Sequence, residues 1–163
     1  MTRDPDPAPG NAHPTAPPGG AGPQPSYVIS KVPHGRQRYD TAGDWIPGAP
    51  VRINVSSMED ERYVFLVALH ELVEYELCRM NGITDGQVIG FDAAFEEERA
   101  AGLHPAEAEP GDDSRAPYRD EHEFATMVER MVAQKLGVSW SDYEKAVQAL
   151  GSERLPARLL LQD

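Results

Sequence analysis

The chain has 163 residues, a length that predicts one domain with flanking segments rather than two full domains. Hydrophobic residues make up 40% of it and charged residues 26%, which excludes collagen-like, purely coiled-coil and wholly disordered chains. Lys and Arg number 15 against 27 Asp and Glu, and the net charge of -12 repels phosphate backbones and anionic lipids, so neither nucleic acid nor a membrane is an expected partner.

The two ends of the chain differ in composition from its middle. Residues 1–25 contain eight of the 15 prolines and neither an aromatic nor a branched aliphatic side chain, too little apolar area to offset the entropy of folding. We therefore predict a disordered tail over 1–25, a single domain over 26–151 and a C-terminal tail over 152–163. The single Cys78 cannot form an intramolecular disulfide and the start lacks the apolar run of a secretory signal, so we expect a cytoplasmic protein.

The first part of the domain has the period-two alternation of strands with one buried face. The alternating segments are 27–32, 44–46 and 51–56, separated by turn residues at Pro33-His34-Gly35 and Pro47-Gly48. They predict a small antiparallel sheet of two to four strands. Such a sheet is too small to be stable alone and needs helices against one face.

Capping and stop residues divide the rest of the domain into four predicted helices. Their approximate ranges are 58–79, 84–99, 118–136 and 139 or 141–150. Ser56 or Ser57 caps the first helix and Gly82 ends it, while Thr84 and Gln87 form a capping box for the second. A short β region followed by helices predicts an α+β fold, with a small N-terminal antiparallel sheet packed against about four helices.

The first predicted helix carries the residues most suited to chemistry. His70 and Glu74 lie one turn apart on the apolar face that also carries Tyr63 and Val67. A buried imidazole and carboxylate are costly unless they are paired or coordinated, and both are metal ligands. Glu71 occupies the position of the general base on the metal-binding helix of a zinc hydrolase. This pattern predicts a site for zinc or another divalent metal.

The string His70-Glu71-Leu72-Val73-Glu74 resembles the H-E-x-x-H helix of zincin-type metallopeptidases, with Glu74 where that family has its second histidine. The resemblance covers about residues 58–79. It implies a hydrolase of peptide or amide bonds, acting on a peptide or protein substrate, with Glu71 as the base that activates water on the ion.

A catalytic zinc ion usually has three protein ligands, so a third is expected further along the chain. The candidates are His122 and Glu121 on the third predicted helix, and helix geometry alone does not choose between them. We prefer His122 because imidazole is a common zinc ligand, and keep Glu121 in reserve. Glu129, about two turns beyond His122, is predicted to orient one of the ligands.

Two further residues have both a functional and a structural interpretation. Asp92 lies on the aromatic side of the second predicted helix, either as the hydrogen-bond partner of a metal-bound histidine or as a buried cap or salt bridge. Tyr118 precedes His122 by one turn, and either donates a hydrogen bond to a developing oxyanion during catalysis or simply packs.

A looser pattern joins several of these segments. The His-Glu-Leu-Val-Glu string, Gly90-Phe91-Asp92, Pro117-Tyr118 and the Glu121-His122 pair together resemble a group of small uncharacterised bacterial and phage-borne proteins. That resemblance implies no activity by itself.

Three functions remain open from the sequence, and the oligomeric state is open as well. The leading one is a metal-dependent hydrolase with His70, Glu74 and His122 as ligands and Glu71 and Tyr118 as catalytic residues. The second is a non-catalytic interaction protein with a buried His/Glu pair. The third is a non-haem iron protein, because two imidazoles and one carboxylate also suit ferrous iron.

Overall fold

A computed structural model of the chain describes residues 25–105 and 108–151. In these ranges the strands are β1 Tyr27–Val32, β2 Gly43–Ile46 and β3 Val51–Ser56. The helices are α1 Glu61–Asn81, α2 Asp85–Ala100, α3 Arg119–Lys135 and α4 Trp140–Leu150, with short 3-10 turns at His34–Arg36 and Pro110–Asp112. The predicted α+β class is confirmed. The two predicted tails fall, apart from Pro25, outside the described residues and stay predictions.

The sheet is mixed, so the prediction of a wholly antiparallel sheet was wrong for one of its two pairings. The strand order is β1-β3-β2, with β2 antiparallel to β3 and β1 parallel to it. After β1 the chain crosses to the other side of β3 and forms β2 there. A hairpin then leads from β2 into β3. His34 anchors this crossing, because its ring is buried and its Nδ1 lies 2.9 Å from Ser56 Oγ at the end of β3. Alternation in the sequence reports which face of a strand is buried, not which strand it pairs with.

The helix ends follow the predicted capping residues with one exception. Thr84 and Gln87 form the predicted capping box of α2, and Gly82 ends α1 in the left-handed conformation with φ of 76°. The predicted start of α1 after Ser56 or Ser57 was wrong, since Asp60 caps the helix by accepting a hydrogen bond from the Arg62 amide. Ser57 instead donates its hydroxyl to the carbonyl oxygen of Val32, at the end of β1.

Helix α1 is the central element of the domain, because it packs against β2 and β3 on one side and against α3 on the other. The inward side chains of β3 alternate as predicted and are almost fully buried. Together with the sheet-facing residues of α1 they form the core, which includes Val51, Ile53, Val55, Leu66, Val67 and Cys78. A helix packed on both sides can hold polar groups away from solvent, and the candidate ligands His70 and Glu74 lie on it. Each helix within 25–105 and 108–151 is too short or too polar to cross a membrane.

Gly82→Ala is expected to destabilise the protein by about 1 kcal/mol, because a Cβ at this left-handed position is strained. Apart from its chain neighbours, no atom lies within 4 Å of that Cβ, so the loss of stability comes from backbone strain alone. Gly90→Ala is the matched control: it lies within α2 with open space around it and should stabilise by up to about 1 kcal/mol. Urea unfolding of both variants measures the difference, and equal midpoints would contradict it.

Candidate metal centre

Helices α1 and α3 bring three side chains to one point. His122 Nδ1 lies 2.8 Å from Glu74 Oε2 and 3.2 Å from His70 Nε2, and the last two atoms are 3.3 Å apart. These three residues form a group placed to hold a metal ion. The predicted choice of His122 as the third member is therefore matched by the geometry, and we call the three residues the His/Glu triangle.

The packing of α1 against α3 explains why these residues meet. Along α3, His122, Ala125 and Glu129 are buried at the spacing of one helix face. Ala125 is fully buried, and its small side chain lets the two helices approach closely. His122 lies opposite Glu74, and Glu129, further along α3, contacts His70, which is earlier on α1. The two helices therefore run in opposite directions past the site.

The triangle has the size that a small divalent ion requires. A tetrahedral zinc ion with bonds of about 2.0–2.1 Å holds its ligand atoms about 3.3–3.4 Å apart. Two of the observed separations, 3.3 and 3.2 Å, match that value, and the third, 2.8 Å between His122 and Glu74, is shorter, so an ion could be held once these two side chains move slightly apart. Two imidazole nitrogens and one carboxylate oxygen are also a donor set that zinc accepts.

A chain of hydrogen bonds behind His70 fixes its ring. His70 Nδ1 lies 3.1 Å from Glu129 Oε2, and the hydroxyl of Tyr143 on α4 donates to the other oxygen of Glu129. With Nδ1 donating to Glu129, His70 directs Nε2 to the centre of the triangle, where it can bind a metal once it has lost its own proton. Glu129 thus lies where it was predicted, in contact with a candidate ligand.

Glu74 is oriented by an indole on β2. Trp45 Nε1 donates to Glu74 Oε1 at 3.4 Å, which leaves Oε2 to face the two histidines. Burial raises the pKa of Glu74, but hydrogen bonds from His122 and His70 outweigh it and lower the pKa to about 2. Burial lowers the pKa of His70, yet its bonds to Glu129 and Glu74 hold that pKa well above the ordinary value. A metal ion entering the triangle must displace that proton.

Glu71 is pressed between α1 and β2. A Cβ added to Gly43 would lie 2.5 Å from Glu71 Oε1 and 2.6 Å from its Cγ, so only glycine leaves room for this side chain. Burial, followed by the negative charge of Glu74, raises the pKa of Glu71 well above the ordinary value. Glu71 lines the same cavity of about 440 Å³ as the three members of the triangle.

A turn covers the other nitrogen of His122. In the 3-10 turn Pro110–Asp112, Gly111 is buried so close to the His122 ring that a Cβ there would lie 2.5 Å from Nδ1. His122 Nε2 is 3.7 Å from a carboxylate oxygen of Glu109 and 3.7 Å from one of Asp112. Glu109, Asp112 and His122 form a second group of possible ligands, in which both carboxylates are exposed.

Two predicted residues have other partners in the structure. Glu121, the reserve ligand, accepts a hydrogen bond of 2.7 Å from Asn81 at the end of α1 and is not in the triangle. Asp92 is buried as expected, but it accepts a hydrogen bond of 2.5 Å from the Tyr118 hydroxyl rather than from a histidine. Tyr118 lines the cavity with its proton engaged by Asp92, and its catalytic role stays a prediction.

The effect of Asp92→Asn on the free energy of unfolding should be more favourable at pH 7 than at pH 4. Burial raises the pKa of Asp92 from 3.8 to about 6, so the folded chain keeps this proton where the unfolded chain has lost it. The contribution of Asp92 to stability is therefore complete below pH 4 and lost as pH rises towards 6, by on the order of 2–3 kcal/mol. An asparagine oxygen can still accept from Tyr118. Urea unfolding from pH 4 to 7 measures the difference, and a difference independent of pH would contradict it.

Sequence reasoning missed the residues that surround the site. Trp45 carried a signal, because a buried indole N–H needs a hydrogen-bond acceptor, and Tyr143 carried the same signal in its hydroxyl. Gly43 and Gly111 carried none: neither has a positive φ, and their role is to allow close backbone approach to Glu71 and His122.

Comparison of the chain with protein-family models, curated proteins and solved structures finds no match.

Proposed function

We propose that this protein is a metal-dependent hydrolase of zincin type that cleaves peptide or amide bonds. The observation that carries the proposal is the convergence of His70 Nε2, Glu74 Oε2 and His122 Nδ1 from two helices, at separations near those of ligand atoms around a tetrahedral ion. A partly buried carboxylate, Glu71, lines the same cavity as the triangle. Several titratable groups converging in one cavity are typical of a catalytic site.

Each residue has a definite task in this proposal. His70, Glu74 and His122 hold one divalent ion, for which zinc is the first candidate. When bound, such an ion polarises a carbonyl group and makes water more acidic. Glu71 accepts the proton of the attacking water at its carboxylate and returns it to the leaving nitrogen. Glu129 and Trp45 hold His70 and Glu74 in the orientation that the ion requires.

Two competing functions make different demands on Glu71. A non-haem iron protein would use the same two imidazoles and one carboxylate, which suit ferrous iron with open positions for oxygen chemistry. A non-catalytic protein would keep His70 and Glu74 as a buried polar pair. Neither function gives Glu71 a task, although the missing side chain of Gly43 leaves room for it and the partial desolvation of its carboxylate is costly. Hydrolysis therefore accounts for more of the site.

The test is the metal content of protein purified without added metal, measured by mass spectrometry beside His70→Ala. We expect about one zinc per wild-type chain and none in the variant. His104→Ala is the control, because His104 stacks on Phe95 and pairs with Glu98 outside the triangle. Iron with a characteristic absorption in the wild type would favour the iron protein. A wild-type protein without any divalent ion, even after incubation with zinc, would refute the proposal.

A further inference from the structure

The two histidines of the triangle face it with opposite nitrogens. His70 uses Nε2 and has Glu129 behind its Nδ1, whereas His122 uses Nδ1 and has the turn at 110–112 behind its Nε2. A neutral imidazole that binds a metal through one nitrogen carries its proton on the other. That proton needs an acceptor, which holds the ring in place. For His70 the acceptor is buried; for His122 it must come from the turn.

We infer that the turn formed by Glu109, Gly111 and Asp112 is a clamp that positions His122 as a metal ligand. Glu109 and Asp112 accept the Nε2 proton, while Gly111 holds the ring between the turn and α3. The two carboxylate oxygens are each 3.7 Å from Nε2, a separation that a water molecule or a small movement of either side chain bridges. This inference rests on the proposed metal site and adds positioning residues that lie 10 or more positions before the ligand.

The close packing at Gly111 is the second part of the argument. His122 is 7% exposed, and the buried Gly111 backbone lies against its ring at a distance that no larger residue permits. The backbone conformation at position 111 does not require glycine, because its φ is not positive. Among the described glycines, those with positive φ are Gly48, Gly82, Gly102 and Gly137. The lack of a side chain at position 111 therefore serves the contact with the ring.

The same two carboxylates could instead hold a second ion on Nε2. Both are exposed, with 57% and 72% of their side-chain surface accessible, and the triangle already uses the other nitrogen of His122. A neutral imidazole bound through Nδ1 has no free lone pair on Nε2, so two ions would require its full deprotonation. We therefore assign the carboxylates to the proton of Nε2, and the ion stoichiometry tests this choice.

The experiment compares zinc affinity, measured by competition with a chelating dye, in wild type and in two variants. Glu109→Ala with Asp112→Ala, which removes both acceptor oxygens, should weaken zinc binding about 10- to 100-fold, as loss of a histidine's hydrogen-bond partner does. Gly111→Ala should weaken it as well, because the ring must move. In zinc-loaded wild type, the Nε2 proton of His122 should exchange slowly with water by NMR, and this protection should be lost in the double variant.

Two controls separate the clamp from general effects. Asp120→Ala with Glu123→Ala also removes two carboxylates, from exposed positions beside His122, and should change zinc affinity by about threefold or less at physiological salt. Gly90→Ala adds a methyl group in open space and should leave affinity unchanged. If the double variant binds zinc with wild-type affinity and still protects the Nε2 proton, the clamp is refuted while the proposed metal site stands. Two ions per chain, one of them lost with Asp112→Asn, would also refute the clamp. Absence of any bound ion in the wild type would refute the proposed function itself.

Discussion

Glu71→Gln is expected to reduce peptide hydrolysis roughly 100- to 10,000-fold while zinc stays bound, because a glutamine cannot accept the proton of the attacking water. The substitution nearly preserves the shape of the side chain in its tight contact with Gly43. It leaves the His/Glu triangle intact, so the loss should appear in kcat with unchanged metal content. The measurement is cleavage of a mixed peptide library, read by mass spectrometry, for wild type and variant at equal zinc occupancy.

Glu97→Gln is the matched control for this prediction. Glu97 is an exposed carboxylate on α2 and does not line the cavity, so its replacement removes one charge without touching the site. We expect wild-type cleavage from this variant. If Glu71→Gln cleaves as fast as Glu97→Gln, Glu71 is not the base. If it also leaves every other property unchanged, the buried-pair interpretation becomes the better one.

Removal of the ion by a chelator should lower the melting temperature of the wild type. An ion at 100 times its Kd stabilises the folded state by about 2.7 kcal/mol, provided that the unfolded chain does not bind it. For a chain of this size that corresponds to roughly 5–10 °C. The physical source is coordination: the ion offsets the charge of the buried Glu74 carboxylate and binds one nitrogen lone pair of each imidazole, and so holds together groups from two helices.

His122→Ala should lose this zinc-dependent shift, since only two ligands would remain. The shift on adding zinc is the quantity to compare, because the substitution also opens a cavity beside Gly111 and lowers the stability of the metal-free protein. Differential scanning calorimetry with and without zinc measures both effects. His104→Ala should keep the full shift. A shift of equal size in His122→Ala would mean that the ion binds elsewhere.

The candidate ligands on α1 were predictable because they lie close together in the sequence. A spacing of four residues on a helix fixes His70 and Glu74 on one face whatever the rest of the chain does. The third ligand depends on where α3 packs, and here the sequence left His122 and Glu121 open. The structure separates them, since the buried side of α3 that meets the triangle carries His122, while Glu121 reaches Asn81 at the end of α1.

The sheet illustrates the opposite case. The alternation of Val51, Ile53 and Val55 predicted a strand with one buried face, and these side chains are buried. Nothing local to β1 specified that it would pair in parallel with β3, because pairing depends on the path of residues 33–42 across the end of β3. The placement of Gly43 against Glu71 follows from that path and was equally beyond the sequence pattern.

By itself, then, the sequence determined the α+β class, the main helix stops and the pairing of His70, Glu71 and Glu74 on one helix, because caps and periodicity act over a few residues. The tertiary structure alone decided which nitrogen of each histidine faces the triangle and which side chains hold them: Trp45, Glu129, Tyr143 and the turn at 110–112. Those contacts join residues 10 to 59 positions apart, and only the packing of the folded chain brings them together.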